Sequence, residues 1–111
     1  MPNQSALSEV FRGLADPTRR AVLERLGHGP LAVTELARPF KMALPSFAQH
    51  LDVLEDCGLV RSRKVGRVRT YRLVPARLTL AGSWLERQRA VWTTRLDQLD
   101  ATLDQLDKET R

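Results

Sequence analysis

The sequence predicts a mainly α-helical domain carrying one β-hairpin, on three observations. Apolar residues recur at helical spacing from Leu7 to Leu54. Asp16-Pro17, Gly27-His28-Gly29-Pro30, Pro39 and Gly58 cut that pattern into separate helices. Two short runs rich in Val and Arg then flank Gly66-Arg67, the signature of a tight hairpin.

Leu7, Val10, Phe11 and Leu14 follow i, i+3, i+4, i+7 and mark the first helix. Asp16 suits an N-cap and Pro17 the first helical position, so a second helix begins there. Val22, Leu23 and Leu26 are its buried side. A short third helix runs from about Val33 to Arg38, with Leu36 and Ala37 inward. Glu35 stands where a capping box needs an acid, but Ala32 has no capping oxygen, so the first residue of this helix is open by one or two. After the turn Lys41-Met42-Ala43, a fourth helix spans about 44–57, with Phe47, Leu51 and Leu54 as its stripe and Gly58 as a left-handed C-cap. The hairpin strands are about 59–65 and 68–74. Gly66 fits the first central position of a type II′ turn. Pro75 ends the hairpin and Ala76 to Gly82 reads as a connector. The last helix is expected over 83–107. There Leu85, Trp92, Leu99 and Leu106 recur every seven residues, with Leu96 and Leu103 between them, the seam of a helix pair. Arg89 interrupts it. The seam packs either on the first helix of its own chain or, the preferred reading, on a second copy.

At 111 residues the chain is read as one domain, 1–111, with a core small enough to profit from a partner subunit. Its charge is unequal: 18 Lys+Arg against 13 Asp+Glu, a net +5, and most of the cations are arginine. Such a surplus favours acidic partners, nucleic acid before an anionic membrane. The charge is also segregated. From Arg61 to Arg77 there are seven cations and no acid, whereas Asp97, Asp100, Asp104, Asp107 and Glu109 face Lys108 alone. No apolar run reaches membrane-spanning length, the N-terminus shows no secretory signal, and a lone Cys57 allows no internal disulfide. A cytoplasmic protein is expected, with no membrane role for a hairpin lacking an insertion face.

A short helix joined by a tight turn to a second is the helix-turn-helix plan, whose second helix enters a DNA major groove. A basic hairpin directly after it, near 61–74, lies along the backbone or minor groove as a wing. Phosphates dominate affinity and base edges give specificity. The reading helix offers Ser46, Gln49 and His50. Gln49 suits bidentate pairing with an adenine edge. Ser46 either binds a phosphate or caps the helix, and His50 either touches DNA or bonds within the fold. Lys41 is a phosphate candidate. Arg67 at the turn tip, flanked by Arg63 and Arg69, is the foremost wing contact, because narrow grooves attract arginine. Tyr71 reads as packing, Trp84 and Trp92 as interface or core, and Cys57 as a small buried residue. No nucleophile–base pair or phosphate loop points to an enzyme. The alternative to DNA binding is a winged-helix docking module.

Three segments carry a family resemblance: Leu14-Ala15-Asp16-Pro17-Thr18-Arg19-Arg20; Leu51-x-x-Leu54-Glu55-x-x-Gly58-Leu59-Val60; and Gly66-Arg67-x-x-x-Tyr71-Arg72-Leu73. In this order they resemble ArsR-type (ArsR/SmtB-like) winged helix-turn-helix repressors. The run Trp84 to Trp92 is similar to the dimerising helix of a subgroup often encoded beside small hydrophobic-ligand-binding proteins. The resemblance implies a homodimer built from the first and last helices (Leu7, Val10, Phe11, Leu85, Trp92, Leu96, Leu99 and Leu103). It also implies double-stranded DNA with an inverted-repeat operator as partner, and repression by blocking a promoter. The metal response of the family is not expected. Val33 to Arg38 holds no Cys or His, no His follows Gly82, and Cys57, His28 and His50 are scattered. No metal site and no cofactor are therefore expected, and no inducer is assigned.

Overall fold

Five helices and three strands make up the computed structural model, which describes residues 2–110. Met1 and Arg111, the ends of the expected 1–111 domain, lie outside the described residues. In chain order the elements are α1 (Pro2–Leu14), α2 (Pro17–Leu26), β1 (Leu31–Ala32), α3 (Val33–Ala37), α4 (Leu44–Asp56), β2 (Val60–Val65), β3 (Val68–Leu73) and α5 (Pro75–Thr110).

The junction of α1 and α2 is set by charge and capping. Asp16 is extended, and its carboxylate accepts the Arg19 N–H at 3.0 Å. Pro17 follows at the start of α2. Arg19 then turns back on the end of α1, donating to the carbonyls of Gly13 and Arg12 at 3.0 Å each, and Arg20 donates to Leu14 O at 2.7 Å. Two guanidinium groups thus satisfy carbonyls that the last turn of a helix leaves open, at its negative end. Burial pushes the Asp16 carboxyl up, but the Arg19 N–H bond and the neighbouring His50 and Arg19 outweigh it and hold it below the usual value. Asp16→Ala is expected to cost about 1 kcal/mol of stability, the usual loss of a helix cap. A carboxyl with a lowered folded pKa stabilises above its unfolded value and loses that contribution as pH falls through the folded one. Urea melts should therefore show the gap between wild type and variant at neutral pH and its closure in acid. A gap independent of pH would exclude the carboxylate as the cause.

α3 begins at Val33 with Ala32 in the cap position and no side-chain cap bond, which settles its start. Arg25 of α2 donates to Glu35 O and Leu36 O at 3.0 and 2.7 Å, fastening its far end. α4 likewise starts behind an uncapped residue, Ala43. It ends as expected: Gly58 has φ +76, Gly58 N–H donates to Glu55 O, and Leu59 N–H donates to Leu54 O, both at 3.0 Å. That pair of bonds is the Schellman closure. A side chain at Gly58 would also meet Arg77 at 2.9 Å.

The sheet has the order β1-β3-β2, antiparallel throughout. β2 and β3 form the expected hairpin, closed by the Val65–Val68 pair around Gly66-Arg67. Gly66 has φ +63 and no described non-glycine residue has positive φ, which matches a type II′ turn. β1 was not expected. Leu31 and Ala32 pair with Tyr71 and Thr70 and tie the entry of α3 to the wing. Phe47, Leu51 and Leu54 of α4 are fully buried with Val10, Val22, Leu36, Leu59 and Val60, and Tyr71 and Cys57 join them. Each large aliphatic buried there contributes on the order of 1.5–3 kcal/mol.

The expected connector at 76–82 is corrected: it is helical, and α5 runs from Pro75 to Thr110 rather than over 83–107. Proline at a helix start has a preset φ and needs no N–H partner, so Pro75 begins α5 as well as ending the hairpin. Leu78 and Ala81 pack against the core three residues apart. Val10 is corrected as well. It is fully buried in the core of its own chain, so its side chain is not available to a second copy. Leu7 is half-buried against the core and Phe11 is exposed.

The chain up to Ala81 and the chain from Gly82 onward form two units. In the second, the seam residues Leu85, Trp92, Leu96, Leu99, Leu103 and Leu106 are 44–61% exposed. Arg89, which interrupts the seam, pairs with Glu86 at 2.8 Å one turn earlier.

Candidate nucleic-acid interface

The exposed face of α4 is built by what its other face buries. Phe47, Leu51 and Leu54 turn inward, which leaves Ser46 and Gln49, three residues apart, on one outward stripe. Asp52 continues that stripe and is the first acid of α4. The N-terminal half of the helix is therefore uncharged and presents Ser46 and Gln49 beside the exposed Leu44 and Pro45, with Lys41 exposed just before it. Ser46 is not the cap, since Ala43 holds that position. The side chains of Lys41, Ser46 and Gln49 make no hydrogen bond or ion pair among the described residues.

His50 is different. Its Nδ1 lies 3.2 Å from Arg19 Nη1 and 3.7 Å from the Asp16 carboxylate, and the side chain is part-buried. Nδ1 thus faces a guanidinium donor and a carboxylate acceptor together, and its part in the contact follows the tautomer of the ring. Of the two roles open to His50, the fold takes it: it braces α4 against the start of α2.

On the wing, Arg67 stands at the turn tip and Arg63 two pairs below the Val65–Val68 pair that closes it, both exposed and with no side-chain bonding partner among the described residues. Arg69 is engaged. Its Nη1 donates to Ser62 Oγ at 2.7 Å, and Ser62 donates through both Oγ and its backbone N–H to the Glu55 carboxylate, at 3.0 and 3.1 Å. β2 is an edge strand, so Ser62 N–H points away from the sheet, and Glu55 satisfies it. A carboxylate on α4 thus holds the wing through one serine. Sequence reading missed this contact; the available signal was the acid at position 55 of the resemblance motif, close to a basic hairpin.

Cys57 is fully buried, and burial pushes its thiol above the ordinary value. Among the described residues, no three His, Cys, Asp or Glu side chains gather as metal ligands, and no helix is long and apolar enough to cross a membrane.

A short helix and turn presenting a polar α4 face, with a basic hairpin clamped beside it, define a winged helix-turn-helix protein. Comparison with known proteins places it further. Residues 14–63 match the family model for a helix-turn-helix domain. The HTH-type transcriptional regulator Rv2034 of Mycobacterium tuberculosis is 46% identical over 87 residues, 78% of each chain. The transcriptional repressor SdpR of Bacillus subtilis is 28% identical over 79 residues, 71% of this chain and 88% of that one. Among solved structures, one ArsR family transcriptional regulator superposes with a TM-score of 0.77 at 50% identity, covering 81% of this chain and 93% of its own. The homodimeric winged helix-turn-helix DNA-binding domain Mb0332 of Mycobacterium bovis superposes with a TM-score of 0.59 at 28% identity, covering 85% and 81%. The chain belongs to the ArsR family of helix-turn-helix transcriptional regulators, which are not enzymes.

Proposed function

We propose that this chain is a homodimeric repressor that binds an inverted-repeat operator beside its own or a neighbouring gene. One observation carries the reading. The Ser46–Gln49 face of α4 is exposed, free of acids and unbonded, beside a wing whose Arg63 and Arg67 are likewise free of acidic partners. α4 lies in the major groove and the wing on the backbone or minor groove. Lys41, Ser46, Arg63 and Arg67 meet phosphates or groove edges, and Arg69 positions the wing as well as adding charge. His50 acts from behind, by bracing α4.

The dimer forms on the seam of α5 from Leu85 through Trp92, Leu96, Leu99 and Leu103, with Leu7 and Phe11 of α1 as further candidates. The length of the exposed seam supports this, as does the homodimeric state of Mb0332. The chain is read among members that do not sense transition metals, since Val33 to Arg38 lacks thiolate and imidazole donors.

The test is a titration of duplexes taken from the DNA around its gene, with scrambled duplexes as reference, at several salt concentrations. One duplex should bind at least about 1,000-fold tighter than the scrambled set, with affinity falling steeply as salt rises. Equal affinity for every duplex would sink the reading. Gln49→Ala is expected to flatten base preference at one symmetric pair of operator positions by about 1–3 kcal/mol, read from a panel of substituted operators. A uniform loss across the panel would make Gln49 a backbone contact instead.

A further inference from the structure

The wing has two faces, and they are charged in different ways. Arg69 lies on the face that carries Ser62 and is held there, through Ser62, by the Glu55 carboxylate of α4. The other face has no such partner. The register sets Arg61 directly opposite Arg72, and Arg63 opposite Thr70, one pair nearer the tip on that same side. These residues, with Pro30 and Val65, line a shallow groove of about 250 Å³. Among the described residues none of the three arginine side chains has a hydrogen bond or ion pair. Like charges directly opposite on a sheet repel, so this pairing weakens the hairpin unless an anion screens it.

We infer that this outer face of the sheet, centred on Arg61 and Arg72, is a second DNA-backbone surface that binds duplex flanking the operator. The inference rests on the function proposed above. α4 touches the opposite face, so the stretch read by α4 is not the stretch this face meets. Duplex DNA is favoured over an acidic protein by continuity, because Arg63 and Arg67 of the same hairpin lead from the operator to Arg61 and Arg72. The guanidinium fork also matches phosphate oxygens in pairs.

The test compares two duplexes, the operator trimmed to its two half-sites and the same operator extended by about ten base pairs on each side, one helical turn. Wild type is expected to bind the longer duplex roughly 10-fold tighter. Arg61→Gln with Arg72→Gln should abolish that gain and lower the salt slope on the long duplex by about 2 for each protomer, near 0.9 for each lost phosphate contact. Affinity for the trimmed duplex should stay at the wild-type value, and the melting temperature should not fall, because the Arg61–Arg72 repulsion is removed. Arg61→Lys with Arg72→Lys should recover the slope. The inference is overturned if the glutamine variant matches wild type on the long duplex, or loses equally on both. It is also overturned if polyglutamate binds this face while duplex extension changes nothing. A wild-type protein that fails on the trimmed duplex contradicts the function reading itself.

Discussion

Leu99→Glu combined with Leu103→Glu is expected to convert the protein from dimer to monomer and to reduce operator affinity by more than about 100-fold. Both residues lie on the exposed seam of the distal part of α5. Two adjacent carboxylates, doubled by two-fold symmetry, place four like charges in an interface that would otherwise be apolar. Both belong to the unit that begins at Gly82 and are 53% exposed, so the fold of the first unit and its weak binding to random DNA should persist. The loss of operator affinity follows from avidity. Two linked half-sites gain about 10²–10⁴ over one, and a monomer gives up that gain. Sedimentation and operator titration check the two halves separately. A variant that stays dimeric would move the interface elsewhere, to Leu7 and Phe11.

Arg67→Ala carries the second large effect. The side chain stands at the tip of the type II′ turn without a bonding partner among the described residues, so its removal costs the hairpin little. Its loss should weaken specific and random DNA alike, by about 5–10-fold at moderate salt, and make the salt dependence shallower by about 0.9 for each phosphate contact removed. Unchanged affinity and slope would take the wing out of the DNA complex. The contrast with Gln49→Ala is diagnostic, since one changes affinity without preference and the other preference at one position pair.

Local chemistry made most of this fold readable in advance. Proline, glycine and aspartate punctuate the chain at 16–17, 27–30, 39 and 58, and the stripes between them have helical period. Gly66 marked the hairpin and its turn type. What escaped was set by distance or by ambiguity. Leu31-Ala32 is two residues long, so it has no alternation to detect, and it becomes a strand only because β3 lies beside it. Pro75 can end a hairpin or start a helix, and it does both, which hid the first two turns of α5. Val10 and Phe11 sit together on one apolar stripe; periodicity does not say which of them its own core consumes.

The candidate interface divides in the same way. Exposure of Lys41, Ser46, Gln49, Arg63 and Arg67 follows from the spacing of their buried neighbours and was legible. The fate of His50 depends on Asp16 and Arg19, more than thirty positions earlier in the chain, so only tertiary structure assigns it to the fold. Glu55 and Ser62 are separated by seven residues and a change from helix to strand, and no periodic rule links them.

The central claim is that a symmetric pair of these chains reads DNA through α4 and its wing. Footprinting the protein on the DNA upstream of its own gene tests that claim most directly. Protection should fall on one palindrome, in two half-sites about one helical turn apart, with symmetric flanking protection from the wings. Protection without two-fold symmetry, or none above that given by an unrelated duplex, would contradict it.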